Sequence, residues 1–424
     1  MLMRQRDRGP QVIGLLDIGS SKVCCVIVER TFSGKETWPS EMRVLGIGHQ
    51  QSHGIKAGFV TDMDQAGMVV RNAVSQAERM AGLTLDDVVV SISCGRMKSL
   101  HFLAHADLEA GYVRPEDQRR LSESAYRFAA DGGRAVVHMN RIDYLLDGSE
   151  SVQNPLRMAG RKISVQYHAV TVDEAPLENL LWLIEQRSYL KVRQFVPMGL
   201  ASALAATTDD ERRFGIIVID VGGGTANIAM IADGRFLYTD TLPFGGAHLT
   251  YDIARVLSTP LAEAERIKTL YGTLVEARSD EQDPVSYELA GEGVRDQYQT
   301  SKAELRRILY PRVHSQLMAL RERIDGTEVL RSTDYNVVLT GGAVQLVGFA
   351  PLAADVLGRP VRIGRARATQ SMPEALASPE FATVVGMIGG AANGRPQVTS
   401  RQREDQPSAD TYLDRMKSWI RESF

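Results

Sequence analysis

Two short segments carry residue types suited to holding phosphate. Asp17-Ile18-Gly19-Ser20-Ser21-Lys22 and Asp220-Val221-Gly222-Gly223-Gly224-Thr225 each lie between two apolar runs that read as strands. Each comes early in its half of the chain. A glycine-bearing hairpin tip lets several backbone N–H groups approach an anion without interference from Cβ. Two such tips facing across a cleft would clamp the β- and γ-phosphates of a nucleotide from both sides. Asp17 and Asp220 open the turns at strand ends, where their carboxylates would hold a hydrated Mg²⁺; this ion keeps most of its waters, so direct ligation is not required. Lys22 adds a cation beside the phosphates. The competing reading is a pair of tight hairpins that use glycine for positive φ. Their pairing, with a third apolar run ending Thr340-Gly341-Gly342, favours the nucleotide. The spacing fits neither a Walker A loop nor a dinucleotide GxGxxG.

The elements that must position these turns follow from periodicity. Val12–Val28 and Phe214–Ile231 each read strand–turn–strand. Apolar spacing predicts helices over Asp64–Met80, with Gly82 as C-cap, and over Leu177–Tyr189, Ala262–Leu270, Ser301–Ile324 and Leu346–Leu357. Val88–Ser93 and Asn336–Thr340 read as strands. Gly199–Ala206 is rich in small residues, which suits close helix packing. A mixed stretch from Leu100 to Val165, with one helix at Pro115–Ala130, interrupts the plan as an inserted subdomain. Glu276–Gln299 is polar and reads as a loop or hairpin. Ala391–Asp410 has few large apolar residues and reads as a flexible linker.

The last fifteen residues recover helical periodicity. Tyr412, Leu413, Met416, Trp419, Ile420 and Phe424 form one apolar stripe, flanked by Arg415, Lys417 and Arg421. A helix of that length extends about 22 Å, short of the roughly 30 Å bilayer core. It is expected to lie in the membrane interface, its cations on anionic headgroups. The alternative is docking on the protein's own core or on a partner.

The motif set Asp17–Lys22, Asp220–Thr225 and Leu339-Thr340-Gly341-Gly342-Ala343 resembles the first phosphate, second phosphate and adenosine motifs of the actin-like ATPase superfamily. Within it, Asn154–Gly160, Gly199-Leu200-Ala201-Ser202, Asp252-Ile253-Ala254 with Ala264–Lys268, and the terminal Ser418–Phe424 are similar to the FtsA family of bacterial cell-division proteins. The resemblance runs from about Val12 to Phe424. It implies an α/β, actin-like two-lobed fold with duplicated mixed five-stranded sheets, an inserted subdomain of FtsA type and a C-terminal amphipathic helix. ATP with Mg²⁺ would sit between the lobes.

By that resemblance Gly19, Ser20, Ser21 and Lys22 form the first phosphate turn, and Gly222, Gly223, Gly224 and Thr225 the second. Gly341 and Gly342 would let adenine and ribose lie against backbone. Glu265 and Lys268, neighbours on a helix face, would reach the adenosine; a surface ion pair is the rival reading. Many relatives carry Asp where Asn227 stands, and no general base is evident, so ATP binding is the firmer expectation and turnover at most slow. The helix with Arg306, Arg307 and Arg312 is implied to grip the acidic C-terminal tail of FtsZ, the rival being a solvated helix face. The insertion is implied to serve filament contacts with further copies and to recruit later division proteins at the cytoplasmic face of the inner membrane.

The expected plan has a loose tail at 1–11 and a first lobe at 12–86 and 167–198, with 383–391 returning to it. The insertion takes 87–166. The second lobe takes 199–250 and 333–382, its outer subdomain 251–332, the linker 392–409 and the membrane-targeting helix 410–424. With 424 residues, 44% hydrophobic and 24% charged, the chain has room for several domains. Its net charge of −3 gives no reason to expect nucleic acid. Cys24, Cys25 and Cys94 lack metal-ligand spacing and read as buried small hydrophobes in a reducing compartment. The N-terminus has no apolar run of a secretory signal. Two other readings share the nucleotide core: a pilus-assembly actin-like protein, which would not need the tail helix, and a sugar kinase, which would need an Asp base at a sugar pocket.

Overall fold

The computed structural model describes residues 11–30, 42–148, 151–289, 297–331, 335–366 and 372–393. The first lobe starts with an antiparallel hairpin of β1 (Gln11–Ile18) and β2 (Lys22–Arg30), in unbroken register from Gln11↔Arg30 to Ile18↔Val23. β3 (Met42–Gln51) pairs with β2, and helix α1 (Met63–Ala81) packs across this sheet. Asp62 caps α1 by accepting from the N–H groups of Asp64 and Gln65, and Gly82 ends it in the left-handed region, as expected. β4 (Asp87–Ile92) runs parallel to β1. The sequence reading placed this strand inside the insertion. It belongs to the first-lobe sheet, because its continuous Val88-Val89-Val90 run is buried there between two neighbours.

The insertion proper holds β5 (Lys98–Asp107), α2 (Pro115–Ala129), β6 (Arg134–Leu146) and β7 (Lys162–Asp173). The strands form an antiparallel sheet in the order β5-β7-β6, with Ser151–Val152 at the edge. Tyr167 is fully buried there, its hydroxyl 3.0 Å from Ser122 of α2. The subdomain springs from the first lobe but also touches the second. His168 Nδ1 and Asn140 Nδ2 lie 3.0 and 3.1 Å from the Phe236 carbonyl, and Ser99 bonds the backbone of Thr239 in both directions. Burial in this contact pushes His138 down to about 4 and His168 well below the ordinary histidine range, so both are neutral.

Helix α3 (Glu174–Glu185) leads to β8 (Lys191–Pro197), which completes the first sheet in the order β8-β4-β1-β2-β3. The neighbours Cys24 and Cys25 point to opposite faces of this sheet. Cys25 packs with α1, and Cys24 with the apolar residues Ala382, Val384 and Val385. All three cysteines are free and buried, and burial pushes Cys24 and Cys94 up to about 12, so they are inert thiols.

The second lobe repeats the plan. After α4 (Met198–Ala206) come β9 (Ile216–Val221), β10 (Ala226–Ala232) and β11 (Arg235–Leu242). Its outer part contains α5 (Gly246–Leu257), α6 (Leu261–Tyr271), a hairpin of β12 (Pro284–Glu288) and β13 (Gln297–Ser301), and α7 (Lys302–Asp325). β14 (Asn336–Thr340), α8 (Phe349–Leu357) and β15 (Val361–Ile363) complete a sheet ordered β11-β10-β9-β14-β15. β14 runs parallel to β9 as β4 does to β1, so each lobe sets three antiparallel strands beside two parallel ones.

The last described element, α9 (Ala382–Asn393), packs closely on α4. A Cβ on Gly386 would lie 1.6 Å from the Ala201 carbonyl oxygen, so the backbones touch where the small residues predicted close packing. The linker beyond Asn393 and the helix 410–424, with Tyr412, Leu413, Arg415, Met416, Lys417, Trp419, Ile420, Arg421 and Phe424, lie outside the described residues. No helix among the described residues is long and apolar enough to cross a membrane.

Candidate functional site

The two lobes bring their hairpin turns together at the cleft. Both are closed by the same bond: the Gly19 N–H donates to the Lys22 carbonyl, and the Gly222 N–H to that of Thr225, each at 2.9 Å. The tips touch. A Cβ on Gly223 would lie 2.7 Å from Ser21 Cβ, and one on Gly224 would lie 2.5 Å from Ser20 Oγ. Glycine is what allows this approach.

Each aspartate is buried behind its turn and held by hydroxyls. Ser91 of β4 donates to Asp17 at 2.6 Å. Burial pushes Asp17 up to about 6; Ser91 and the Lys22 charge pull it back, and the Asp220 charge adds to the rise. Asp220 accepts from Ser202 of α4 and, at 3.0 Å, from Thr383 of α9. Burial raises it as well, against those two hydroxyls. Two buried carboxylates near each other, with Lys22 as their shared cation, form a set of hard oxygen donors. Among the described residues no group of three or more His, Cys, Asp or Glu gathers as a direct metal cage. The donor set therefore fits a Mg²⁺ held chiefly by water and a ligand's own oxygens.

Lys22 is the cation between them. Its ammonium is buried and makes no hydrogen bond among the described residues. It stands 3.6 Å over the Phe381 ring centroid and 4.0 Å from Glu380. Burial lowers its pKa, while Glu380, Asp17 and Asp220 work the other way. A buried ammonium without a hydrogen-bond acceptor is costly, and a phosphate oxygen would supply one.

Asn227 faces Asp220 across the β9–β10 ladder and is buried. Its amide is taken up by Thr225, by the Met198 sulfur and by the Thr241 hydroxyl, which makes it a brace for the turn. Gly341 has φ +92°, and a Cβ there would fall 2.3 Å from Asp220 Oδ1. This glycine thus makes room for the aspartate itself, while its neighbour Gly342 is exposed at the cleft.

Glu265 and Lys268 pair at 2.6 Å on α6, and Lys268 also reaches Thr250 at 2.8 Å and the Gly246 carbonyl at 3.2 Å. The Gly246 and Ala247 N–H groups in turn donate to the carbonyls of Gly222 and Gly223, at 2.9 and 2.8 Å. The pair is thereby tied to the second turn and near Ala343. Sequence reasoning passed over the Gly245-Gly246 link, although its doubled glycine before a helical pattern was a usable signal. It also missed Ser91, Thr383, Glu380 and Phe381. No local signal marks them, because their role exists only across long sequence separations.

The three arginines of α7 are not brought to one face. At about 100° per residue, Arg306, Arg307 and Arg312 point in three directions. Arg312 makes a two-pronged pair with Asp252 at 2.6 and 2.9 Å. Arg306 bonds the Leu274 carbonyl and Arg307 pairs with Glu304.

Comparison with known proteins bears on this arrangement. The family model for cell division protein FtsA matches residues 217–386, and that for the SHS2 domain inserted in FtsA matches residues 95–171. The model for type IV pilus assembly protein PilM matches residues 135–292. The cell division protein FtsA of Agrobacterium fabrum is 39% identical over 89% of this chain and 86% of its own length. That of Rhizobium meliloti is 36% identical over 97% and 95%, and that of Escherichia coli K12 is 28% identical over 97% and 98%. Among solved structures, a PilM–PilN type IV pilus biogenesis complex superposes with a TM-score of 0.61 at 16% identity, over 90% of this chain and 98% of that one. MreB5 of Spiroplasma citri bound to AMPPNP gives 0.52 at 13% identity, over 89% and 95%. These superpositions show a shared actin-like fold.

Proposed function

The chain belongs to the FtsA family of cell division proteins, and we propose that within it this protein is an ATP-dependent tether holding the FtsZ ring to the membrane. Its place in the family gives an actin-like cell-division role. The nucleotide part of the reading is carried by one observation: two aspartate-led turns meet tip to tip beside a buried lysine that has no hydrogen bond among the described residues. Gly19–Lys22 and Gly222–Thr225 would hold the phosphates, and the Glu265–Lys268 pair with Gly342 would border the adenosine. Asp17 and Asp220 would bind the waters of Mg²⁺, which neutralises phosphate charge when bound. MreB5, of the same fold, is seen with AMPPNP. With the tips in contact, phosphates need the lobes to part slightly, so occupancy and lobe spacing are linked. That linkage would let ATP govern self-association into filaments. Asn227 brings no charge to the second turn, which supports turnover that is slow at most.

The membrane part rests on the apolar stripe Tyr412–Phe424 and its cations. A single short interfacial helix binds weakly, and a filament aligning many on one surface would convert that into firm attachment. For the FtsZ tail, α7 supplies cations but each already has a carboxylate or carbonyl partner. An acidic peptide would therefore exchange with Asp252 at Arg312, not enter an empty site.

Co-sedimentation with anionic liposomes tests the tether. Trp419→Glu puts a carboxylate at acyl depth, which costs a few kcal/mol, ~2–4, comparable with all that such a helix gains. Pelleting should vanish while ATP binding persists, and truncation after Gln406 should do the same. A variant that pellets like the parent would return the tail to a docking role.

A further inference from the structure

We propose that Glu380 and Phe381 form a seat for the Lys22 ammonium, and that nucleotide phosphate must displace Lys22 from it. This makes Glu380 a positioning residue that sets ATP affinity, and it rests on the nucleotide reading above. The ammonium sits 3.6 Å over the Phe381 ring and 4.0 Å from Glu380, without a hydrogen bond among the described residues. Elsewhere in this protein lysine–carboxylate pairs close to 2.6 and 2.9 Å. Lys22 is thus held by charge and ring alone, in a contact that a short charge-assisted bond to a phosphate oxygen would outcompete.

The seat belongs to a segment that touches three parts of the cleft. The Pro379 carbonyl accepts from the Gly341 N–H at 3.1 Å and from the Thr340 hydroxyl at 3.2 Å. Thr383 donates to Asp220. Glu380 and Phe381 hold the lysine of the opposite turn, and α9 begins one residue later at Ala382. Residues 379–383 therefore connect the first turn, the second-turn aspartate and the end of β14. When Lys22 leaves for phosphate, Glu380 and Phe381 lose their cation, and that change is delivered to the start of the helix packed on α4. Occupancy of the cleft is in this way read by the strap between the lobes.

Calorimetry of the full chain with Mg-ATP and with adenosine tests this. Glu380 is 43% exposed, so Glu380→Gln should fold. It should bind ATP about two- to fivefold more tightly, the range of a partly screened ion pair removed as a competitor, with adenosine affinity unchanged. Lys22→Ala should bind ATP weakly, and adding Glu380→Gln to it should give no gain. Phe381→Leu, which keeps bulk but removes the ring, should shift ATP affinity in the same direction as Glu380→Gln. Unchanged or weaker ATP binding by Glu380→Gln, or a gain that persists without Lys22, overturns the seat while the parent still binds ATP. A parent that binds no ATP overturns the nucleotide reading itself.

Discussion

Asp17 sits where the demands of the fold and of the ligand oppose each other. It is buried, accepts from Ser91, and is pushed from 3.8 up to about 6. A carboxyl raised in the folded state binds its proton more tightly there than in the unfolded chain. Its contribution to stability is therefore full below about pH 4 and is lost as pH rises through about 6. Above that, the buried carboxylate costs on the order of 3 kcal/mol relative to its protonated form. Asn keeps an acceptor for Ser91 and cannot ionise. Asp17→Asn should match the parent near pH 4 and exceed it in Tm at pH 7.5 without nucleotide, with the gain growing between the two. The same variant should lose the part of its ATP affinity that depends on Mg²⁺. A thermal melt showing Asp17→Asn less stable at pH 7.5 would mean that the carboxylate is structurally required. Stability given up for a ligand is a common feature of binding sites.

At the scale of elements, the crossing of α4 and α9 decides whether Asp220 keeps its two hydroxyls. Ser202 and Thr383 come from these two helices, lie 2.9 Å apart, and both serve Asp220. Gly386 sets their separation. Gly386→Ala should cost at least the ~1–3 kcal/mol typical of overpacking, and a chemical melt with an unchanged midpoint would refute the crossing. Much of this architecture was legible in the sequence. Both turns, α1 with its Gly82 cap, α2 and the small-residue helix are local patterns, and local patterns survive folding. What escaped was non-local. The Val88–Ile92 run reads the same in an insertion as in a central sheet, and only pairing with β1 and β8 places it. Ser91 and Thr383 become ligands of aspartates 74 and 163 residues away. The helix expected from Leu346 starts at Phe349, because Gly348 before it takes the left-handed conformation.

For the molecule as a whole, the insertion bridges both lobes, since it emerges from the first and bonds the edge strand of the second at Phe236 and Thr239. Parting of the turns would therefore be transmitted to it as well as to α9. Everything in that account depends on phosphate entering between the tips. The most direct measurement is ATP calorimetry on the parent and on Gly223→Asp, with circular dichroism to show that both are folded. The new side chain starts 2.7 Å from Ser21 Cβ and brings a negative charge to the position assigned to phosphate oxygens. The parent should bind Mg-ATP at one site and the variant at least about tenfold more weakly, a loss of roughly 1.4 kcal/mol or more; equal affinity in a folded Gly223→Asp would contradict the site.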